Sequence, residues 1–203
     1  MFARRSRRFI PTVVGPTRWA LALALLAGAA FLASLMSARP AAADFAGDHD
    51  LCHTFDASKA TEKIAACTRV IRTGRLRGRD LAIAYQDRAE GYRLTKDYDH
   101  ALEDFDRAIK VDPGVAYAYL NRAEVHRLKG DYDQVIADAT EAIRLDPALN
   151  AAWTIRGLAY KEIGDLAKAR EDFNHTLAIP VKGNDGEWAQ DVARTQIKAM
   201  DEK

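Results

Sequence analysis

The 203-residue sequence contains no nucleophile elbow, no glycine-rich phosphate loop and no clustered set of metal ligands. Carboxylates are plentiful, as they are on most helical surfaces, but nothing picks out a catalytic pair. These absences predict a protein that is not an enzyme and carries no cofactor. Cysteine is scarce, with only Cys52 and Cys67 present. Together with His49 and His53 they offer four candidate ligands, yet the spacing fits no usual zinc pattern. The pair Cys52-His53 also lacks the upstream cysteine of a haem attachment motif. No metal site is expected.

Acidic residues are missing from the first 43 positions, which carry Arg4, Arg5, Arg7, Arg8, Arg18 and Arg39. That leaves 24 of the 30 basic side chains to face all 29 acidic ones in the rest of the chain. A mildly acidic body is a poor match for nucleic-acid phosphates, which are bound by surplus Lys and Arg, so no nucleic-acid partner is expected. With 48% hydrophobic and 29% charged residues, the composition suits one globular domain plus some non-globular sequence.

The acid-free segment reads as an address. Arginine-rich sequence through Arg18 precedes an uncharged run, Ala20 to Ala38, and Ala41-Ala42-Ala43 offers the small residues that a signal peptidase accepts. The apolar stretch is somewhat short for the ~20 residues of a spanning helix. Residues 1–43 are therefore predicted to be a signal peptide cleaved after Ala43, which makes the body periplasmic or secreted. In the alternative, the uncleaved segment anchors a periplasmic domain in the inner membrane, and it would be the chain's sole membrane contact. In such a compartment an even cysteine count favours a Cys52–Cys67 disulfide. Closing a loop of that length is worth about 3 kcal/mol in the chain-entropy model.

What the sequence does have is a period. Tyr85-Gln86-Asp87-Arg88-Ala89-Glu90-Gly91-Tyr92-Arg93-Leu94 recurs 34 residues later as Tyr119-Leu120-Asn121-Arg122-Ala123-Glu124-Val125-His126-Arg127-Leu128. Ala108-Ile109-Lys110-Val111-Asp112-Pro113 recurs at the same offset as Ala142-Ile143-Arg144-Leu145-Asp146-Pro147. A third copy starts at Trp153 and closes near Pro180. Within a copy the apolar residues follow helical spacing, as in Ala101, Leu102, Phe105, Ala108 and Ile109. Turns lie between the two helices of each copy, at Thr95-Lys96-Asp97, Lys129-Gly130-Asp131 and Ile163-Gly164-Asp165. There glycine suits the left-handed helix end, and aspartate suits the next N-cap. Proline then stops the second helix.

Small residues at Ala89, Ala123 and Gly157 on the first helix, and at Ala101, Ala108, Ala142 and Ala169 on the second, let the paired axes approach closely. Tyr85, Tyr119 and Trp153 supply bulk between neighbouring copies. This pattern, clearest as Trp153-x2-Arg156-Gly157-x2-Tyr160 followed by Ala169-x3-Phe173, resembles the tetratricopeptide repeat (TPR) family over about 100 residues. It departs from it where Arg88, Arg122 and Arg156 replace the usual leucine, where Val135 and Ala139 stand in the middle copy, and at Thr176.

The resemblance implies an all-α TPR superhelix, an α-solenoid, in an exported bacterial protein. Residues 44–79 are expected to form a degenerate N-terminal repeat and loop, with a helix over Ser58–Arg72 and a short partner near Asp50–Phe55. The basic stretch 73–79 is expected to be a solvated loop. Residues 80–181 hold three repeats, at about 82–115, 116–149 and 150–181. A capping helix spans 186–201 and turns Trp188, Val192, Thr195 and Met200 toward one face, with Trp188 packing inward.

Three histidines, His100, His126 and His175, are placed as members of repeats rather than around a pocket, and His126 reads as a packing variant of Tyr92 and Tyr160. In the family the first helices line a concave groove. By that analogy the lining here includes Gln86, Glu90, Arg93, Leu120, Asn121, Glu124, Arg127, Thr154, Leu158 and Lys161. It implies a protein or peptide partner. Asn121 alone fits the Lys/Asn-rich clamp with which some TPR co-chaperones hold a C-terminal carboxylate. The alternative is a self-associating structural module of the cell envelope. The oligomeric state is left open.

Overall fold

Helical apolar spacing, cut at regular intervals by left-handed turns and by Asp-Pro, gives a chain of consecutive helices. The computed structural model describes residues 44–181 and 183–202. The expected signal segment, 1–43, lies outside them. In order come α1 (Phe45–Cys52), a single 3-10 turn (Ala57–Lys59), α2 (Ala60–Arg72), α3 (Gly78–Leu94), α4 (Tyr98–Val111), α5 (Ala116–Lys129), α6 (Tyr132–Leu145), α7 (Asn150–Glu162), α8 (Leu166–Ala178) and α9 (Gly183–Asp201). No strand occurs among the described residues, and the fold is an all-α solenoid of stacked helix pairs. None of the described helices is long and apolar enough to cross a membrane.

Turn chemistry sets the pairing. Gly130 and Gly164 sit at φ 83° and 87°, which costs glycine nothing. Lys96 takes the same left-handed role without that freedom, at φ 63°. Asp97 and Asp165 cap α4 and α8 by accepting from the backbone N–H groups of His100 and Lys168. Asp131 occupies the equivalent position at α6 but makes no capping bond. Its carboxylate instead lies 3.5 Å from His126 Nδ1. At the far ends Asp112 and Asp146 turn extended, and their carboxylates accept from the N–H groups of Gly114 and Ala148.

Successive helices pack on one another, and first helices also touch across repeats, α3 with α5 and α5 with α7. The small residues are fully buried where the pairs meet: Ala89 with Ala101 and Phe105, and Gly157 beside Phe173. A Cβ at Gly157 would stand 2.8 Å from Phe173 Cε1, so no larger residue fits without moving that ring.

A second tie repeats with the period. Arg88 donates to Asp104 at 2.6 and 2.8 Å, Arg122 to Asp138 at 2.9 and 2.6 Å, and Arg156 to Asp172 at 2.9 and 2.8 Å, each joining the two helices of one repeat. The remaining guanidinium nitrogen reaches back to the second helix of the preceding repeat, at Thr68, Asp106 and Thr140 respectively. The three carboxylates are nearly closed off from solvent, at 1%, 8% and 3% side-chain exposure. For Arg122 the hydrogen bonds it donates to Asp138 push the guanidinium pKa above its ordinary value, against the opposing effect of burial. The arginines that look like departures from a leucine pattern are thus a regular feature of the stack.

The ends differ from expectation in three ways. The helix before α2 starts at Phe45, not near Asp50, because Asp48 forms a bidentate pair with Arg69 and Cys52 is bonded to Cys67. The basic stretch 73–79 is not wholly a solvated loop. Leu76 inserts into the cluster of Cys52, Cys67, Val70 and Ala84, and α3 already begins at Gly78. The capping helix turns a different face inward. Ala189 and Ala193 are fully buried, whereas Trp188 is 47% exposed and Thr195 is exposed too.

The disulfide closes a separation of 15 residues, and its Cα atoms lie 4.7 Å apart. Full reduction is expected to destabilise the N-terminal helix pair by about 3 kcal/mol and to lower the first thermal transition by several degrees. A melt unchanged by reductant contradicts this.

Candidate peptide-binding groove

The first helices α3, α5 and α7 present one face to a shared cavity of about 710 Å³. That lies within the ~300–1,000 Å³ typical of ligand sites. The lining comes in columns one period apart. Ile83, Tyr117 and Ala151 form one column, Asp87, Asn121 and Ile155 a second, Gln86 and Leu120 a third, and Glu90 and Glu124 a fourth. Columns arise because residues three or four apart share a helix face, and the stack repeats that face every 34 residues. Phe55, from the turn after α1, and Trp188, from α9, join the lining. The two residues are 99% and 47% exposed.

Most charges in the groove are already paired. Arg93 holds Glu90 through two 2.7 Å bonds, and Arg127 holds Glu124 at 2.8 and 2.7 Å. Hydrogen bonds to those glutamates push both guanidinium pKa values up, with burial opposing. Lys63 Nζ lies 3.1 Å from Asp87 and also donates to the carbonyl of Thr54. A bound segment therefore meets neutral pairs and carbon surface rather than a field of one sign. The side-chain amides of Gln86 and Asn121 stand among these without a hydrogen-bond partner among the described residues. Each amide offers both a donor and an acceptor.

Gln86, Glu90, Arg93, Leu120, Asn121 and Glu124 line the cavity, and Arg127 sits behind Glu124. The third-repeat residues are placed elsewhere, under α9. Thr154 is fully buried, sharing a 3.0 Å bond with Thr176 and donating to the Ala189 carbonyl. Leu158 packs into the cluster of Phe173, Ala193 and Ile197, and Lys161 donates to Gln196 Oε1 at 2.8 Å. The third repeat thus contributes Ala151 and Ile155 to the groove instead of Thr154, Leu158 and Lys161, which the capping helix covers. The expected lining, which starts at Gln86, Leu120 and Thr154 on the three helices, leaves out Ile83, Tyr117, Ala151, Asp87 and Ile155. Their signal was present, because they sit three or four residues along the same face. Phe55 and Trp188 had no such periodic signal.

Two models of the tetratricopeptide repeat match the chain, one over residues 82–115 and the other over 116–149 and 151–179. The second TPR of Spaghetti (RPAP3) is 32% identical and covers 49% of this chain and 92% of its own, with a TM-score of 0.48. The TPR2B domain of yeast Sti1 is 24% identical over 60% of this chain and 98% of its own, with a TM-score of 0.55. The Sgt2 TPR domain of Aspergillus fumigatus is 18% identical over 63% of this chain and 85% of its own, with a TM-score of 0.53. The latter two share the fold. No curated protein matches the chain. With its 34-residue period, its helix pairs and these matched segments, the chain belongs to the tetratricopeptide repeat family.

Proposed function

We propose that this protein is a non-catalytic adaptor that holds an extended peptide segment of a partner protein in the α3–α5–α7 groove, outside the cytoplasm. The observation that carries the reading is the pair of unpartnered amides, Gln86 and Asn121, set between apolar walls in a cavity most of whose charges are already paired. Such amides can bond the main chain of an extended segment, while Ile83, Tyr117 and Ile155 take up its apolar side chains. Peptide capture is known for relatives. The Spaghetti domain named above is bound to the HSP90 peptide SRMEEVD, and the Sti1 domain is in a complex with pHsp70. Of the expected groove residues Asn121 alone matches a Lys/Asn clamp, and of the basic side chains in the lining Lys63 and Arg93 are already held by Asp87 and Glu90, so the reading is an internal segment of mixed apolar and polar character. Export is supported by the arginine-rich, acid-free N-terminus and its Ala41-Ala42-Ala43 end.

A photo-crosslinking side chain placed at Asn121 in the full chain is expected to trap a discrete partner from an envelope extract. The same group at Glu171, which is 71% exposed on α8, is expected to trap none. With that partner in hand, Gln86→Ala combined with Asn121→Ala is expected to weaken binding by about tenfold, in keeping with ~1 kcal/mol or more for lost hydrogen bonds, without shifting the melt. Equal trapping at both sites, or none at Asn121, overturns the reading. Export has its own check. Protein recovered from the envelope should have the intact mass of a chain starting at Asp44. A mass that retains the first 43 residues indicates the anchored form, and recovery from the cytoplasm contradicts export.

A further inference from the structure

One cluster of polar side chains is not explained by the repeat architecture. His49 lies in the last turn of α1 and His53 is its C-cap residue, one helical turn on. Their Nε2 atoms face each other at 3.2 Å, with the rings edge to face at 68°. Behind His53 stands a fixed acceptor. Its Nδ1 is 2.5 Å from Asp87 Oδ2, and the other oxygen of Asp87 accepts from Lys63 Nζ. Lys63 is held in turn by the carbonyl of Thr54 at 2.9 Å. The side chains of Lys63 and Asp87 are 4% and 17% exposed, so neither is free to swing away. Cys52, next to His53, is tied covalently to α2 through Cys67.

This arrangement has a chemical consequence. A carboxylate at Nδ1 keeps the proton on that nitrogen and leaves the Nε2 lone pair of neutral His53 directed outward, toward His49. Two imidazole lone pairs cannot face each other at this distance unaided. Either one proton lies between them or one cation does. A metal ion bonded at ~2.0–2.1 Å to both nitrogens, with the nitrogens 3.2 Å apart, subtends an angle of about 100°, between the square-planar and tetrahedral values. A histidine ligand whose second nitrogen donates to a carboxylate is also the usual support for such an ion, fixing both tautomer and ring orientation.

We propose that His49 and His53 together bind one divalent first-row transition-metal ion through their facing Nε2 atoms, with Asp87 as the positioning residue. Neutral imidazole pairs favour copper(II) over zinc(II) and nickel(II). The side chains of His49 and His53 are 39% and 30% exposed, which gives the ion an entrance and leaves its other coordination positions to water. Asp50, 3.9 Å from His49 Nδ1, adds a carboxylate on the outer side. Cys52 Sγ lies within 4.8 Å of the donor atoms of His53 and Asp87, but its sulfur is committed to the disulfide. Because Asp87 and Lys63 also line the groove, the ion would sit behind the wall at its N-terminal end.

The test is calorimetric titration of the untagged full chain with copper(II) chloride and with zinc(II) chloride, alongside electron paramagnetic resonance of the copper form. One ion per chain is expected, with copper bound more tightly than zinc and a spectrum coupled to two imidazole nitrogens. His49→Ala and His53→Ala should each weaken binding at least tenfold, Asp87→Asn by about 10–100-fold, and His100→Ala not at all. Among the described residues the His49 side chain meets His53, the Phe45 ring and the exposed Asp50, so His49→Ala should keep the parent melt, which separates lost binding from lost folding. Stoichiometric binding that survives His49→Ala, or parent binding no tighter than that of the His49→Ala/His53→Ala double variant, overturns the site. Unchanged affinity in Asp87→Asn overturns the role given to that carboxylate.

Discussion

In each of three repeats an arginine on the first helix is locked by two hydrogen bonds to a nearly buried aspartate on the second, and its third nitrogen reaches the repeat before. A leucine at Arg88, Arg122 or Arg156 would pack against the same neighbours, but oily contact tolerates sliding. A forked guanidinium does not, because both of its bonds are lost when the helices shift by a fraction of a turn. Leaving one member of a buried pair unmatched costs about 3–5 kcal/mol, so the pairing excludes wrong registers more than it raises total stability. The reach to Thr68, Asp106 and Thr140 extends that constraint from within a repeat to between repeats.

Register decides what the groove is. Only when first helices stand at a constant offset do Ile83, Tyr117 and Ala151 fall in one column and Asp87, Asn121 and Ile155 in the next. Within that frame the charged side chains pair along their own helix, Glu90 with Arg93 and Glu124 with Arg127. These half-exposed pairs contribute little stability. Their effect is to leave the cavity without a dominant sign, so that amides and carbon surface set its character. The groove is also bounded by particular residues. At one end α9 covers Thr154, Leu158 and Lys161 and presents Trp188, while at the other Phe55 projects from the turn after α1.

Much of this was legible before the structure. The 34-residue offset, the left-handed glycines at 130 and 164 and the Asp-Pro stops follow from local sterics, which sequence expresses directly. The arginine–aspartate ties were equally present, since Asp104, Asp138 and Asp172 each lie 16 residues after their arginine. A charge at a leucine position looks like a loss until its partner is placed. The ends were harder for a different reason. The α1 segment, Phe45 to Cys52, carries almost no apolar stripe, and its position depends on two distant partners, Arg69 and Cys67. On α9 the bulk of Trp188 suggested burial. Close approach to α7 and α8 instead favoured the small Ala189 and Ala193, which rotates the helix and turns the indole outward.

The central claim is that the arginine–aspartate ties act as coupled pairs holding the repeats in register. A double-mutant cycle in denaturant on Arg156→Ala and Asp172→Ala, where the third contact of the arginine is the neutral Thr140, tests it most directly. Each single change should cost about 3–5 kcal/mol, and the double variant should recover about 2 kcal/mol or more relative to their sum. Single costs that add to within about 0.5 kcal/mol would show two independent side chains and contradict the account.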